Sequence, residues 1–237
     1  VIDGNEGFPM DFDFAPYFKR YEAVVTAAEK AFAQMTAQYP DAVRCGLGCA
    51  DCCYALFDLT FVEALYINKQ FYRSMEGLQR EVLLDRANTA DRQTHKIKRQ
   101  AADQIKNGVD EQQVLEAVAR QRVRCPLLNA GNTCDLYSFR PITCRLYGIP
   151  TAIHGQGHTC GRSGFEPGKS YPTVKLEVLN QKLLALSSDL VAALGSRHTG
   201  LADLMMPLSM ALLADFDDEY LGVKKLDSNP TPPPQGA

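Results

Sequence analysis

The sequence lacks several signatures that would have decided its class at once. No stretch of about 18 apolar residues is present, the length a membrane-spanning helix needs. The opening VIDGNEGFPMDFDF has neither the basic stretch nor the apolar core of a secretion signal. Basic residues number 25 against 28 acidic, for a net charge of −3, and form no run that would track a phosphate backbone, so nucleic acid and membrane are both excluded as expected partners. A glycine-rich strand-to-helix turn for a nucleotide is missing, as are an internal repeat, a βαβ rhythm and a nucleophile triad. Lack of core is not the problem: 46% of the 237 residues are hydrophobic, enough to bury an interior without covalent staples.

What is present is helical periodicity. Residues 16 to 39 place Tyr17, Tyr21, Val24, Val25, Ala28 and Phe32 at three- and four-residue spacing. Residues 59 to 75 read as a core helix with Phe61, Leu65, Phe71 and Tyr72 inside. A charged stretch, 76 to 106, follows as a long or broken helix with Leu78, Val82, Leu83 and Ile97 along one face, and Asp110 is placed to cap the next helix. From Thr173 two more helical segments are expected, the second running through LADLMMPLSMALLADF with Met205, Met206 and Met210 in the core. The expected fold is mainly α: an N-terminal extension over 1–15, one helical domain over 16–226 around an irregular cysteine-rich metal-binding centre, and a disordered proline-rich tail over 227–237.

The eight cysteines fall in two groups. Cys45, Cys49, Cys52 and Cys53 crowd into CGLGCADCC, while Cys125, Cys134, Cys144 and Cys160 lie in a glycine- and proline-rich segment about 70 residues further on. Segregation of this kind means that helices bring two loops together. Disulfides are one reading, but disulfide-dense chains are usually short and poor in core, and adjacent Cys52 and Cys53 cannot join without strain. Structural zinc is the second, since thiolates bind it in fours, although only Cys49 and Cys52 have knuckle spacing. The third is an iron–sulfur cluster, of the 4Fe–4S type, wrapped by Cys45, Cys49 and Cys52 with Gly46 and Gly48 giving backbone freedom, and with a last ligand from far away. Cys53 then faces a second metal or the far side of the same cluster.

CGLGCADCC, RCPLL at 124 to 128 and CDLYSFRPITCRLYG at 134 to 148 resemble the cysteine-cluster family of zinc- or iron-chelating domains, CxxCxxCC, also known as the YkgJ type. The first interval carries one extra residue, giving C-x3-C-x2-CC, whereas the downstream block with Cys125, Tyr137, Arg140, Pro141, Cys144 and Arg145 agrees closely. The resemblance implies metal binding. Flagellin lysine N-methylases are similar to this family, which brings S-adenosylmethionine and methyl transfer into view. Cys45, Cys49 and Cys52 also match the spacing of radical S-adenosylmethionine enzymes, but Asp51 stands where those carry an aromatic residue, and no βα pattern follows.

Around the thiols, Arg140 and Arg145 are candidate cofactor-binding groups, able to offset the negative charge of a thiolate cluster. Tyr137 and Tyr147 are candidate shields against water, and His154 or His158 are candidate extra ligands near Cys160, while His95 and His198 are assigned no role. The functional expectation is an iron–sulfur protein, redox-active or enzymatic, working with an unidentified redox or protein partner in the cytoplasm. Its alternative is a structural or delivery zinc protein acting through partner contacts, along the polar helix at 76 to 106.

Overall fold

A computed structural model describes residues 12–46, 48–153 and 155–223. Seven helices dominate it: α1 (Ala15–Gln38), α2 (Phe61–Ser74), α3 (Gly77–Lys106), α4 (Glu111–Ala119), α5 (Ile142–Leu146), α6 (Leu176–Ala193) and α7 (Leu208–Leu213). Short strands make two small sheets. In one, β1 (Asp58–Thr60) pairs antiparallel with β5 (Met205–Pro207); in the other, β2 (Thr151–Ile153) lies between β3 (Gln156–His158) and β4 (Val174–Lys175). The fold is mainly α, and none of its helices is long and apolar enough to cross a membrane.

The centre of the packing is α2, whose residues Phe61 to Asn68 are all buried. A helix with no exposed face over two turns must be surrounded; α1, α6 and α7 surround this one. Three buried polar side chains in this packing each serve a helix end, where backbone groups lack intrahelical partners. Ser187 Oγ accepts from Val62 N at 3.1 Å, in the first turn of α2. Asn68 donates to the carbonyls of Ala211 and Ala214 at the end of α7, at 2.9 and 3.0 Å. Glu63 Oε1 accepts from Ile142 N, the first residue of α5, and from Tyr21 OH of α1, both at 2.8 Å.

Some sequence expectations need correction. α3 is one unbroken helix, but its buried face is Leu83, Ala87, Ala90 and Thr94; Leu78 and Val82 are exposed, at 75% and 42%. Small residues won these positions because α7 lies against α3. The segment after Leu201 is not one helix: it passes through β5, and Pro207, which cannot continue a helical ladder, stands directly before α7. Met206 is fully buried there, whereas Met205 and Met210 are about 40% exposed. Asp110 caps α4 as expected, accepting from Gln113 N at 3.0 Å. Phe14, just before α1, is buried in the core. The proposed tail, 227–237, lies outside the described residues.

Burial raises the Glu63 carboxyl above its ordinary range, against the smaller opposing effects of its two donors and Arg145. The folded state then binds a proton more tightly than the unfolded chain, so the stability associated with this group is greatest below the ordinary glutamate pKa and falls as pH rises through the folded-state value. An uncharged amide in place of this carboxyl would keep one oxygen to accept both hydrogen bonds. We expect Glu63→Gln to gain stability relative to wild type as pH is raised through that window, read by denaturant unfolding. Glu63→Ala should cost about 1–3 kcal/mol for each donor it orphans.

Candidate metal centre

The first cysteine loop leaves α1 at Tyr39 and is held down by Gly164 N, which donates to Ala42 O at 2.8 Å. Gly48, at φ +83°, supplies a left-handed turn that other residues resist. Cys49 N then bonds Gly46 O and Cys53 N bonds Ala50 O, both at 3.0 Å, winding the chain into a 3-10 turn over Asp51–Tyr54. Winding so tight sends neighbouring side chains in different directions.

The second loop is stitched to this turn. Cys125 N donates to Cys53 O at 2.7 Å and Val123 N to Tyr54 O at 3.2 Å. On either side, Arg122 donates to the Asp51 carboxylate at 2.7 Å and Arg124 to Tyr54 OH at 2.8 Å. Further on, the side chain of Asn129 bonds Gly131 N, Thr133 and Asp135, shaping the turn that presents Cys134. Cys144 comes from α5, whose place is set by Glu63 at its first residue and by Arg145, buried and ion-paired with Glu29 of α1.

These segments enclose a cavity of about 470 Å³ lined by Cys45, Cys49, Cys52, Cys53, Cys125, Cys134 and Cys144. All eight cysteines are half-buried and none is in a disulfide. Cys52 is influenced by Cys144 as well as by Cys53, and Cys53 by Cys125, so each thiol of the adjacent pair has a different neighbour across the cavity wall. The hydrogen bond with Cys125, followed by burial, pushes the Cys53 thiol up to about 12. Cys52 also stands at about 12: the lowering hydrogen bond from Cys144 is outweighed by the bond with Cys53, burial and neighbouring thiols. Burial lifts Cys134 to about 11, and Cys144 is held well above the ordinary value by its bond to Cys52 and by burial. At Cys52, Cys53, Cys134 and Cys144 burial and neighbouring thiols thus favour the protonated form, a balance that a bound cation reverses.

The donor set fits soft-metal chemistry, which thiolates favour. Among the described residues, however, no three His, Cys, Asp or Glu side chains converge as ligands of one ion. Four thiolates at about 2.3 Å from one zinc would stand about 3.8 Å apart. The seven thiols line one cavity without three of them set around a single point.

Cys160 is not in that wall. Its Sγ lies 3.5 Å from Asp51 Oδ2, and Arg162 N donates to it at 3.4 Å. The two candidate arginines also separate. Both line the cavity, but Arg145 donates to Glu29, Ser138 O and Arg140 O, while the charge of Arg140 acts on Cys45, Cys134 and Cys144. Tyr137 stands at the mouth, 61% exposed beneath the Arg140 guanidinium, which lies 4.0 Å from its ring. Tyr147 donates to Asp51 at 2.9 Å. His158 is exposed on β3 and does not line the cavity, His154 lies outside the described residues, and His95 and His198 are exposed.

Sequence reasoning passed over Asp51, Glu63, Asn129 and Gly148. Asp51 lay inside the motif, accepting from Arg122 and Tyr147 and so tying the first loop to two others. Gly148 follows Tyr147 with φ +105°, and a Cβ there would sit 2.8 Å from Cys45 Cβ. Gly148→Ala therefore combines a backbone penalty of about 1–3 kcal/mol with displacement of Cys45. The expected outcome is a lower unfolding midpoint together with reduced metal per chain.

Comparison with curated proteins and with solved structures gives no match. Residues 44–161, the span from just before Cys45 to just after Cys160, match the family model CxxCxxCC, described as a "putative zinc- or iron-chelating domain". Through that segment the chain belongs to the CxxCxxCC family of zinc- or iron-chelating domains.

Proposed function

We propose that the two cysteine loops and α5 close around an iron–sulfur cluster of the 4Fe–4S type, with a role in electron transfer or cluster-dependent catalysis. One observation carries this reading: seven cysteines from three separate segments line a single cavity, without any three of them already set around one point. A polynuclear cluster has corners several ångströms apart and is served by thiols that are spread, whereas a single zinc needs them gathered. Cys45, Cys49, Cys52 and Cys53 from the first loop, with Cys125, Cys134 and Cys144, are the candidate ligands. Cys160, kept outside the wall on Asp51, is a supporting thiol in this reading rather than a ligand.

A cluster held there would supply one-electron redox chemistry and, at an iron with an open position, a Lewis-acid site. The chain's own residues would bind it, exclude water through the buried walls, and offset thiolate charge with Arg140. The resemblance to flagellin lysine N-methylases makes S-adenosylmethionine the first co-substrate to try, with methyl transfer as the corresponding enzymatic activity. Eight unpaired thiols accord with a reducing compartment such as the cytoplasm.

The test is purification without oxygen, followed by iron, zinc and acid-labile sulfide analysis. The expected result is a brown protein containing iron and sulfide. A colourless protein with zinc and no sulfide would establish the zinc alternative and overturn this reading. Single Ser replacements should sort the thiols: Cys52→Ser and Cys144→Ser should lose most of the metal, Cys53→Ser part of it, and Cys160→Ser, like changes at His95 or His198, little. Equal loading in all of these would sink the shared site. Because burial and neighbouring thiols hold protons on Cys52, Cys53, Cys134 and Cys144, reconstitution should release protons and should weaken steeply as pH falls, measured with a pH indicator during metal uptake.

A further inference from the structure

The cavity has more wall than metal binding uses. Besides the thiol-bearing segments, it is lined by Leu56 and Phe57 before β1, by Ala90 on α3 and by Leu208 at the start of α7. Neither α3 nor α7 carries a cysteine. Ala90, 5% exposed, presents no more than a methyl group to this part of the lining, so a larger side chain there would reduce the open space. At about 470 Å³ the cavity falls within the range of small-molecule sites, which combine apolar walls with a few placed polar groups.

One of those polar groups is a cation without an acid. Arg20, Arg120, Arg122, Arg145 and Arg162 each pair with a carboxylate, but among the described residues none pairs with Arg140. Among the described residues its guanidinium bonds the carbonyl of Tyr137, at 3.3 Å, and lies over that residue's ring. Most of its five donors therefore remain free at the cavity wall, in the planar fork that matches a carboxylate. The other cavity-lining arginines are committed: Arg124 to Tyr54 and two carbonyls, Arg145 to Glu29. Arg140 is the cavity-lining arginine with donors to spare, and a carboxylate on an apolar body would use both that fork and the apolar part of the lining.

We propose that the cavity takes, beside the metal, a small carboxylic acid with an apolar body: carboxylate on Arg140, hydrocarbon against Leu56, Phe57, Ala90 and Leu208. The placement beside a metal rests on the metal-binding reading above; the apolar wall and the free guanidinium do not. Such a ligand would sit within reach of the thiol-bearing loops and close the cavity to water. It is therefore a candidate substrate or a gate for one.

Octanoate is a suitable probe, titrated by calorimetry into the full chain purified without oxygen, with metal content measured on the same sample. The expected result is saturable binding of one octanoate per chain. Ala90→Leu, which fills the wall without touching a thiol, should weaken it at least tenfold while metal content stays at the wild-type level. Arg140→Gln should also weaken it at least tenfold, and 1-octanol should bind wild type at least tenfold more weakly than octanoate. Absence of saturable binding to metal-loaded protein, undiminished affinity in folded Ala90→Leu, or equal binding of octanol and octanoate would each overturn the proposal. A sample without metal would refute the metal reading instead, and octanoate binding on that sample would still decide whether the cavity recognises the acid.

Discussion

Glu63 is the group on which the placement of the rest turns. It is a carboxylate buried on the most enclosed helix, and its Oε1 accepts from the first amide of α5 and from Tyr21 of α1. A short helix such as α5 has little stability of its own, because nucleation is costly and few bonds follow it. Glu63 from one side and the Glu29–Arg145 pair from another hold it where it must be, with Cys144 facing the cavity. The charge at Glu63 costs burial energy, which its two hydrogen bonds and Arg145 only partly offset, and that cost appears as the raised carboxyl. What it secures is position: a helix of one turn, docked at a defined angle against a packed core.

The same logic runs through the loops. Irregular backbone has no ladder of its own, so its polar groups must find other partners. Here they find each other: the 123–125 backbone pairs with 53–54, and the side chains of Arg122, Arg124 and Tyr147 close on Asp51 and Tyr54. Two loops distant in sequence become one wall. The hydrogen bonds that join them are short-range and specific, whereas the thiols they carry are mutually unfavourable once ionised. Assembly of the wall therefore comes from the backbone and the arginines, and the thiols are held close enough that a cation is the natural partner for their charge.

Arg140 and Arg145 illustrate how neighbours in sequence divide their work. Both sit near Cys144 in the chain, and both reach the cavity wall. Arg145, nearly fully buried, spends its donors on Glu29 and two carbonyls and acts as a strut. Arg140 keeps its charge toward the thiols and its donors toward the open space. Desolvation explains the difference: a buried guanidinium must be fully partnered, while one at a cavity mouth can leave donors to water or to a ligand.

Much of the helical framework was legible from spacing alone, because burial on one face writes a 3.6-residue period into the sequence. α1 and α6 show it, α2 was legible instead as a continuous apolar run, and the division of cysteines into two loops identified which segments had to meet. The departures have a common cause. On α3 the buried face is Leu83 with Ala87, Ala90 and Thr94 rather than a row of larger apolar residues, since close packing against α7 selects for size, which hydrophobicity does not report. Met205 and Met210 turn outward in a segment that β5 breaks, and β5 exists because it pairs with β1, setting Met205 opposite the distant Thr60 in a register that no local pattern contains. By itself, the sequence determined a helical protein with soft-metal donors in two loops and membership of a metal-chelating family. Only the tertiary structure decided which seven thiols share a wall, that Cys160 stands aside on Asp51, and that Arg140 rather than Arg145 remains free. Those choices depend on which distant groups satisfy each buried charge and backbone amide, and that is settled by packing in three dimensions.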